Sequence, residues 1–487
     1  MKDGLYWAEK LRNKKISFQE LLGIFEENAR QKNPELNAFV TLMDHEALTE
    51  YQKQETIANR PFAGLPIPLK MLGQDKKGWL STSGSKLFLE QRADQNSNFT
   101  NQLLTNGLVP FAQTNAPEFG FKNITDAQIY GPAKNPWNLA YYSGGSSGGA
   151  ASAVAAGIVP IAGASDGGGS IRIPASFCGL IGLKPTRGVM PVGPGSWRGW
   201  QGASIDFALT VSMRDTEKLF YGMRKIASAA PYQAPEKAWH HTHSAQQKPL
   251  KIAVIIDSPI NSTVSSEAIK AVEKAYDFLL AQGHQVELIS YPVDGNELMA
   301  SYYLMNGAET AAMFTKIEQG LKRLVGKDDM ELMSWGIYQY GKKIPASHYI
   351  DALNLWDQAA VKMEELLTTY DLLLTPTTAT SAPKIGEDLQ SDDIRLSLEN
   401  AANLSENDLQ QLIEQMFAQS LQMTPYTQLA NLTGQPAISL PTHLTQKGLP
   451  LGIQFTAARG CEDLLLQIGQ LFETAYGFQL PAYYRSK

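Results

Sequence analysis

Between residues 138 and 188 charge nearly vanishes, and Gly, Ser and Ala take over. No repeat period runs through the stretch, so it reads as a tightly packed, loop-rich centre rather than a linker. Two runs stand out within it. One is Gly144-Gly145-Ser146-Ser147-Gly148-Gly149, the other Ser165-Asp166-Gly167-Gly168-Gly169-Ser170-Ile171-Arg172. Each holds a glycine-flanked serine, at 146 and 170. Glycines beside a serine let backbone N–H groups converge without side chains in the way, which is how an oxyanion hole is built. A pair of Gly/Ser loops without chemistry has the same composition.

The rest of the chain bounds the class. With 487 residues, 43% hydrophobic and 18% charged, it can bury a sizeable core, and a mostly disordered or fibrous protein is excluded. Its 42 Lys+Arg against 48 Asp+Glu give a net charge of −6, a poor match for nucleic acid. Two cysteines, Cys178 and Cys461, exclude a disulfide framework and a four-cysteine zinc site. The first residues lack the apolar stretch of a signal peptide, and the apolar run 150–164, broken by Pro160, is too short to span a bilayer. The expectation is a cytoplasmic protein with no membrane segment.

Local patterns point to an α/β protein. Ser17 and Glu20 form a capping box, with Ile16 and Leu21 at the staple positions and Leu21, Leu22, Phe25 and Ala29 on one helical face. Residues 65–69, Leu-Pro-Ile-Pro-Leu, suit an edge or irregular strand that ends at Lys70. Residues 250–256 read as a strand. Ser266 opens a helix with Ile269, Val272, Tyr276 and Leu279 on one face, Gly283 stops it, and 285–289 is a second strand, making a βαβ unit. Residues 239–249 form a polar connector, and the acidic, helix-patterned stretch 387–411 suits a surface excursion or a lid.

Several motifs compete for the chemistry. Residues 144–148 fit G-x-S-x-G, the nucleophile elbow, which needs a histidine from among His240, His241, His243, His284, His348 and His443. Ser83-Gly84-Ser85-Lys86 fits S-x-x-K without its companion motifs. His240, His241 and His243, near Glu236, offer a weak metal site. Neither a P-loop nor G-x-G-x-x-G occurs. Without a histidine, a desolvated lysine can be the base, and Lys70 closes an apolar run with no charged neighbour until Asp75.

The two serine runs continue into Ile173-Pro174-Ala175-Ser176-Phe177-Cys178-Gly179. Together with Gln113–Phe119, Asn135–Asn138, Leu374–Thr377 and Asn431–Pro441, they resemble the amidase signature family over essentially the whole chain. Phe62–Pro66, Ser334-Trp335 and Cys461–Gln467 place the resemblance nearest the branch holding 6-aminohexanoate cyclic-dimer hydrolase.

The resemblance implies one domain over 1–487: a large twisted mixed β-sheet covered by helices, with a signature core at about 65–215 and a βαβ-containing insert at about 250–345. It implies an amidase working through an acyl-enzyme, without cofactor or metal. Ser170 matches the nucleophile, Ser146 the bridging serine on a cis peptide bond, and Lys70 the base. The backbone N–H groups of Gly167, Gly168, Gly169 and Ser170 match the oxyanion hole. Ser147, Asp166 and Arg172 match supporting positions, and Asn306 faces the acyl pocket. The implied partner is a small-molecule amide, and dimers are frequent among relatives, so a homodimer is admitted. The alternative is an amidotransferase-type subunit that depends on a partner protein. There are departures. Met71 stands where the family often has Asp, and Gly167 where it often has Thr. Ile173 stands where the transamidating branch carries Gln, which counts against that alternative. Cys178 reads as a buried small hydrophobe.

Overall fold

The computed structural model describes residues 1–54, 56–234 and 249–485. A helix not anticipated from the sequence, Gly4–Arg12, opens the chain, with the Asp3 carboxylate accepting from the Tyr6 N–H. The next, Phe18–Leu36, starts at Ser17 with the reciprocal Ser17/Glu20 box in place and buries Leu21, Leu22, Phe25 and Ala29.

The strands are β1 (Phe39–Leu42), β2 (Leu65–Lys70), β3 (Leu108–Thr114), β4 (Lys134–Asn135), β5 (Asn138–Tyr142), β6 (Ala162–Asp166), β7 (Ile181–Lys184), β8 (Ile205–Thr210), β9 (Lys251–Val254), β10 (Gln285–Leu288), β11 (Leu372–Pro376), β12 (Ala437–Leu444) and β13 (Pro450–Thr456). Eight form one mixed sheet in the order β10-β9-β11-β13-β12-β7-β8-β6. Its β10, β9 and β11 run parallel, and the remaining neighbours pair antiparallel. This is the helix-covered mixed α/β sheet that the resemblance implies.

A three-stranded sheet, β1-β3-β2, lies beside it. As an edge strand β2 tolerates its two prolines, which cannot donate to a ladder, and its register with β3 shifts between Ile67 and Pro68. All six of its residues are nevertheless buried, because β2 packs on β6 of the large sheet. That contact brings Lys70, the last residue of β2, alongside Ser165 and Asp166 at the end of β6.

The Gly/Ser-rich stretch is more regular than a loop-rich centre. It contains β5, β6, β7 and the helices Gly148–Ala155 and Arg172–Cys178, both wholly buried. Only small side chains let the first of these pack between the two sheets, against β2, β3, β6 and β8. The βαβ unit is present as β9, the helix Ser266–Ala281 and β10. Its N-cap is Ser265 rather than Ser266, and the buried stripe is Ala268, Ala271, Val272, Ala275 and Leu279, with Ile269 half-buried. Gly283, at φ +85°, follows the helix end.

The acidic stretch 387–411 is not a detached excursion. The helices Asp392–Glu399 and Glu406–Met423 sink Leu398, Leu409, Leu412 and Ile413 into a second apolar core with Phe119, Phe314, Ile337 and Tyr338. Among the described residues no helix is long and apolar enough to cross a membrane. His240, His241, His243 and Glu236, and almost all of the connector 239–249, lie outside the described residues.

Candidate active site

Lys70 is 1% exposed. Its Nζ lies 2.7 Å from Ser146 Oγ and 2.8 Å from Ser165 Oγ. Burial pushes the ammonium down to about 7, against the opposing pull of the Asp206 and Asp166 carboxylates. A lysine in this state is a base near neutral pH. Its backbone N–H donates to Gln74 Oε1 at 3.0 Å, and Gln74 Nε2 donates to the Ala164 carbonyl at 2.9 Å, so Gln74 ties β2 to β6.

Ser146 follows a cis Gly145–Ser146 peptide bond and is 2% exposed. Ser147 Oγ donates to the Ser165 carbonyl at 3.2 Å and accepts from the Ser165 N–H at 3.3 Å, which holds the 146–147 turn on β6. Ser170, 7% exposed, shares a cavity wall with Ser146 and Ser165. Among the described residues its hydroxyl has no protein hydrogen-bond partner, and no hydrogen bond closes between Ser146 and Ser170. Catalytic contacts of this kind often tighten only with substrate bound.

Asp166 and Arg172 are both fully buried and form a two-pronged pair, Nη2–Oδ1 at 2.9 Å and Nε–Oδ2 at 3.0 Å. Burial alone would raise the Asp166 carboxyl, but Arg172 and Asn431 hold it well below the usual carboxylate range. Asp166 also accepts from the N–H groups of Gly169 (2.7 Å), Ile171 (3.2 Å) and Arg172 (3.4 Å). Arg172 is satisfied further by the Thr427 carbonyl and Gln454 Oε1, each at 2.8 Å, and by Asn431 Oδ1 at 2.6 Å. This network fixes the shape of the 166–172 loop.

It also corrects one expectation. The Gly169 N–H points at Asp166 rather than outward, so it is not available to a substrate oxygen. The N–H groups of Gly167, Gly168 and Ser170 have no protein acceptor among the described residues. Thr427 Oγ1 donates to the Gly168 carbonyl at 2.7 Å, and a Cβ at 169 would lie 2.2 Å from that same Oγ1, so only glycine fits there. Asn306 lines the cavity from the helix Gly295–Leu321, its Oδ1 accepting from Thr310 at 3.0 Å.

The cavity holds about 620 Å³. Buried Phe119, Met299 and Tyr303 line its inner end together with Met313 and Phe417, and exposed Asp94, Gln95, Ser196 and Trp197 line its mouth. No described histidine lines it. His284, His348 and His443 are engaged elsewhere, with Leu250, Glu406 and Glu267 respectively, so the elbow reading gains no base. Ser83 reaches the cavity, but no described hydrogen bond links it to Lys86. Burial pushes the Cys178 thiol well up, consistent with a core residue.

Sequence reasoning missed Ser165, Gln74, Asn431 and Thr427. Ser165 stands next to Asp166 inside a run already singled out. Asn431 opens one of the stretches that carry the family resemblance, and Gln74 lies only four residues from the Lys70 N–H it accepts from, but neither residue type there signals its role. Thr427 carries no local signal, its partners lying 255 and 259 positions away.

A family profile described as Amidase matches residues 20–466. A lipoamidase of Enterococcus faecalis is 40% identical over 478 residues, covering 97% of this chain. This chain spans 63% of that protein's length. A 6-aminohexanoate-cyclic-dimer hydrolase of Paenarthrobacter ureafaciens is 32% identical over 483 residues, covering 97% of this chain and 94% of that protein. A solved structure of 6-aminohexanoate cyclic dimer hydrolase complexed with substrate superposes with a TM-score of 0.88 at 31% identity, covering 99% of this chain and 98% of that one. The profile match over residues 20–466, with a relative 32% identical across 97% of this chain and 94% of its own length, shows the family: the chain belongs to the amidase signature family.

Proposed function

We propose that the chain hydrolyses a small-molecule carboxylic amide through an acyl-enzyme on Ser170. The observation that carries this is the buried, readily neutral Lys70, whose Nζ lies 2.7 Å from Ser146 Oγ in the cavity that Ser170 lines. Neutral Lys70 donates an N–H to Ser165, and its lone pair takes the Ser146 proton as Ser146 takes the proton of Ser170. Ser170 Oγ then bonds to the amide carbonyl carbon. The N–H groups of Gly167, Gly168 and Ser170 hold the oxygen as it gains charge, one such donor being worth roughly 10²–10³ in rate. The C–N bond breaks and the relayed proton leaves with the amine. Water attacks the ester, passes its proton to the same relay, and releases the acid with Ser170 restored.

The lipoamidase and the cyclic-dimer hydrolase, both named for cleaving amides, support an amide of a small linear or cyclic acid. Dependence on a partner subunit is not favoured beside these relatives.

The test is the purified chain alone, given simple N-acyl amides with no nucleotide, glutamine or second protein. Equal release of acid and amine, lost in Ser170→Ala, is expected. A folded chain that cleaves none of them contradicts the proposal.

A further inference from the structure

Four consecutive residues, Gly199, Trp200, Gln201 and Gly202, have φ of +36°, +51°, +51° and +80°. A left-handed conformation is ordinary for glycine and unfavourable for a bulky side chain such as tryptophan. Surrounding contacts hold the turn there. Gln201 Nε2 donates to Glu309 at 2.7 Å, and Gln201 Oε1 accepts from Tyr232 at 2.9 Å. The Gly202 carbonyl accepts from Arg187 Nε at 3.0 Å. Glu309 is fixed in turn by the Tyr349 hydroxyl at 2.6 Å.

The turn aims Trp200 into the cavity. Its ring lies 6.0 Å from Phe121 at an interplanar angle of 17°, and edge-on to Tyr302 at 5.9 Å and 71°. It also covers Gly167: a Cβ there would meet two indole carbons at 3.1 Å. Tyr302 does the same beside it, its hydroxyl standing 2.7 Å from where a Cβ of Gly168 would be and donating to the Gly167 carbonyl at 3.2 Å. The departure from the family's frequent Thr at 167 therefore has a physical counterpart: the missing side chain is the seat of an indole. Trp200, Gly167 and Ser170 line the same cavity, so the indole and the Ser170 hydroxyl share its wall. Met299, Met313 and Phe417 add apolar lining to the same cavity.

We propose that Trp200, seated on Gly167, is the specificity-determining wall of this site. It accepts an unbranched apolar acyl chain laid flat along the ring and turns away acyl groups branched next to the carbonyl. This rests on the amide-hydrolase reading above. A flat indole wall favours a chain that can lie along it, and a branch that cannot do so changes kcat/KM by about 10–200-fold.

The test compares two isomers, hexanoyl and 2-ethylbutanoyl p-nitroanilide, on the full chain, Trp200→Phe and Trp200→Ala. The wild type is expected to favour the hexanoyl compound, and Trp200→Ala to narrow that preference at least tenfold, with Trp200→Phe in between. Should Trp200→Ala fail to fold, Trp200→Phe alone carries the comparison. An unchanged ratio in the folded variants overturns the wall. A second readout needs no turnover. Hexanoate is expected to quench tryptophan emission in the wild type and not in Trp200→Phe. If the wild type cleaves neither anilide but hexanoate, and not 2-ethylbutanoate, gives that Trp200-dependent quench, the hydrolase reading falls and the wall stands as a binding surface. No quench, or a quench kept by Trp200→Phe, overturns the wall.

Discussion

Lys70 Nζ stands 2.7 Å from Ser146 Oγ, although the two residues are 76 positions apart. The contact exists because an edge strand, β2, is pressed onto β6 and buried along its whole length, carrying a lysine out of water at its last residue. Desolvation is then what turns an ordinary cation into a base.

The first prediction concerns charge. Lys70→Arg should be as damaging as Lys70→Ala, since guanidinium does not deprotonate in the working range. Each should lower kcat/KM by about 10²–10⁴, the usual worth of a positioned base. Steady-state kinetics on both variants checks this; an arginine variant near wild type would remove Lys70 from the relay.

The second concerns pH. With the Lys70 ammonium titrating at about 7, kcat/KM should rise tenfold per unit below that value and level off above it. The same depression acts on stability. Between about pH 7 and the unfolded lysine value of ~10.4, unfolding takes up a proton, so Lys70 makes the fold more stable as pH rises through that window. A pH–rate profile tests the first statement, and denaturant melts of wild type against Lys70→Met test the second.

Ser165 gives a third. Its hydroxyl is the second group on Lys70 Nζ, at 2.8 Å, and an acceptor there favours the charged amine. Ser165→Ala should shift the acid limb of the profile to lower pH, with a loss of about tenfold in the plateau, smaller than the loss of the base itself. An acid limb that stays in place would show that Ser165 does not act on the lysine.

The fourth concerns the loop that presents the glycines. Arg172 and Asp166 are fully buried partners, and removing one leaves the other uncompensated. Arg172→Met should destabilise the fold by about 3–5 kcal/mol, measured as a lower urea midpoint. A midpoint within experimental error of wild type would mean the pair is not what holds the loop.

Much of this was legible because its causes are local. The Ser17/Glu20 box, the prolines of β2 and the βαβ pattern each lie within one element, and the capping residue at 265 was missed by only one position. The serines at 146 and 170 announced themselves through their glycines. What stayed hidden is non-local. Asn431 reaches Asp166 across 265 positions, and Trp200 reaches Gly167 only because Glu309, more than a hundred residues on, locks the turn that carries it. The helix Gly4–Arg12 escaped notice because it buries only Gly4, Ala8 and Leu11, too few apolar positions to mark a face. The acidic stretch 387–411 misled for the opposite reason: its charges are conspicuous, and its buried leucines are spread over two helices.

The central claim is that Ser170 is the activated nucleophile. Intact mass after treatment with a small fluorophosphonate tests it most directly, with Ser170→Ala and Lys70→Ala in parallel. One adduct on the wild type, none on Ser170→Ala and much slower labelling of Lys70→Ala is the predicted result. An adduct that persists on folded Ser170→Ala, or a folded wild type that takes none, would contradict it.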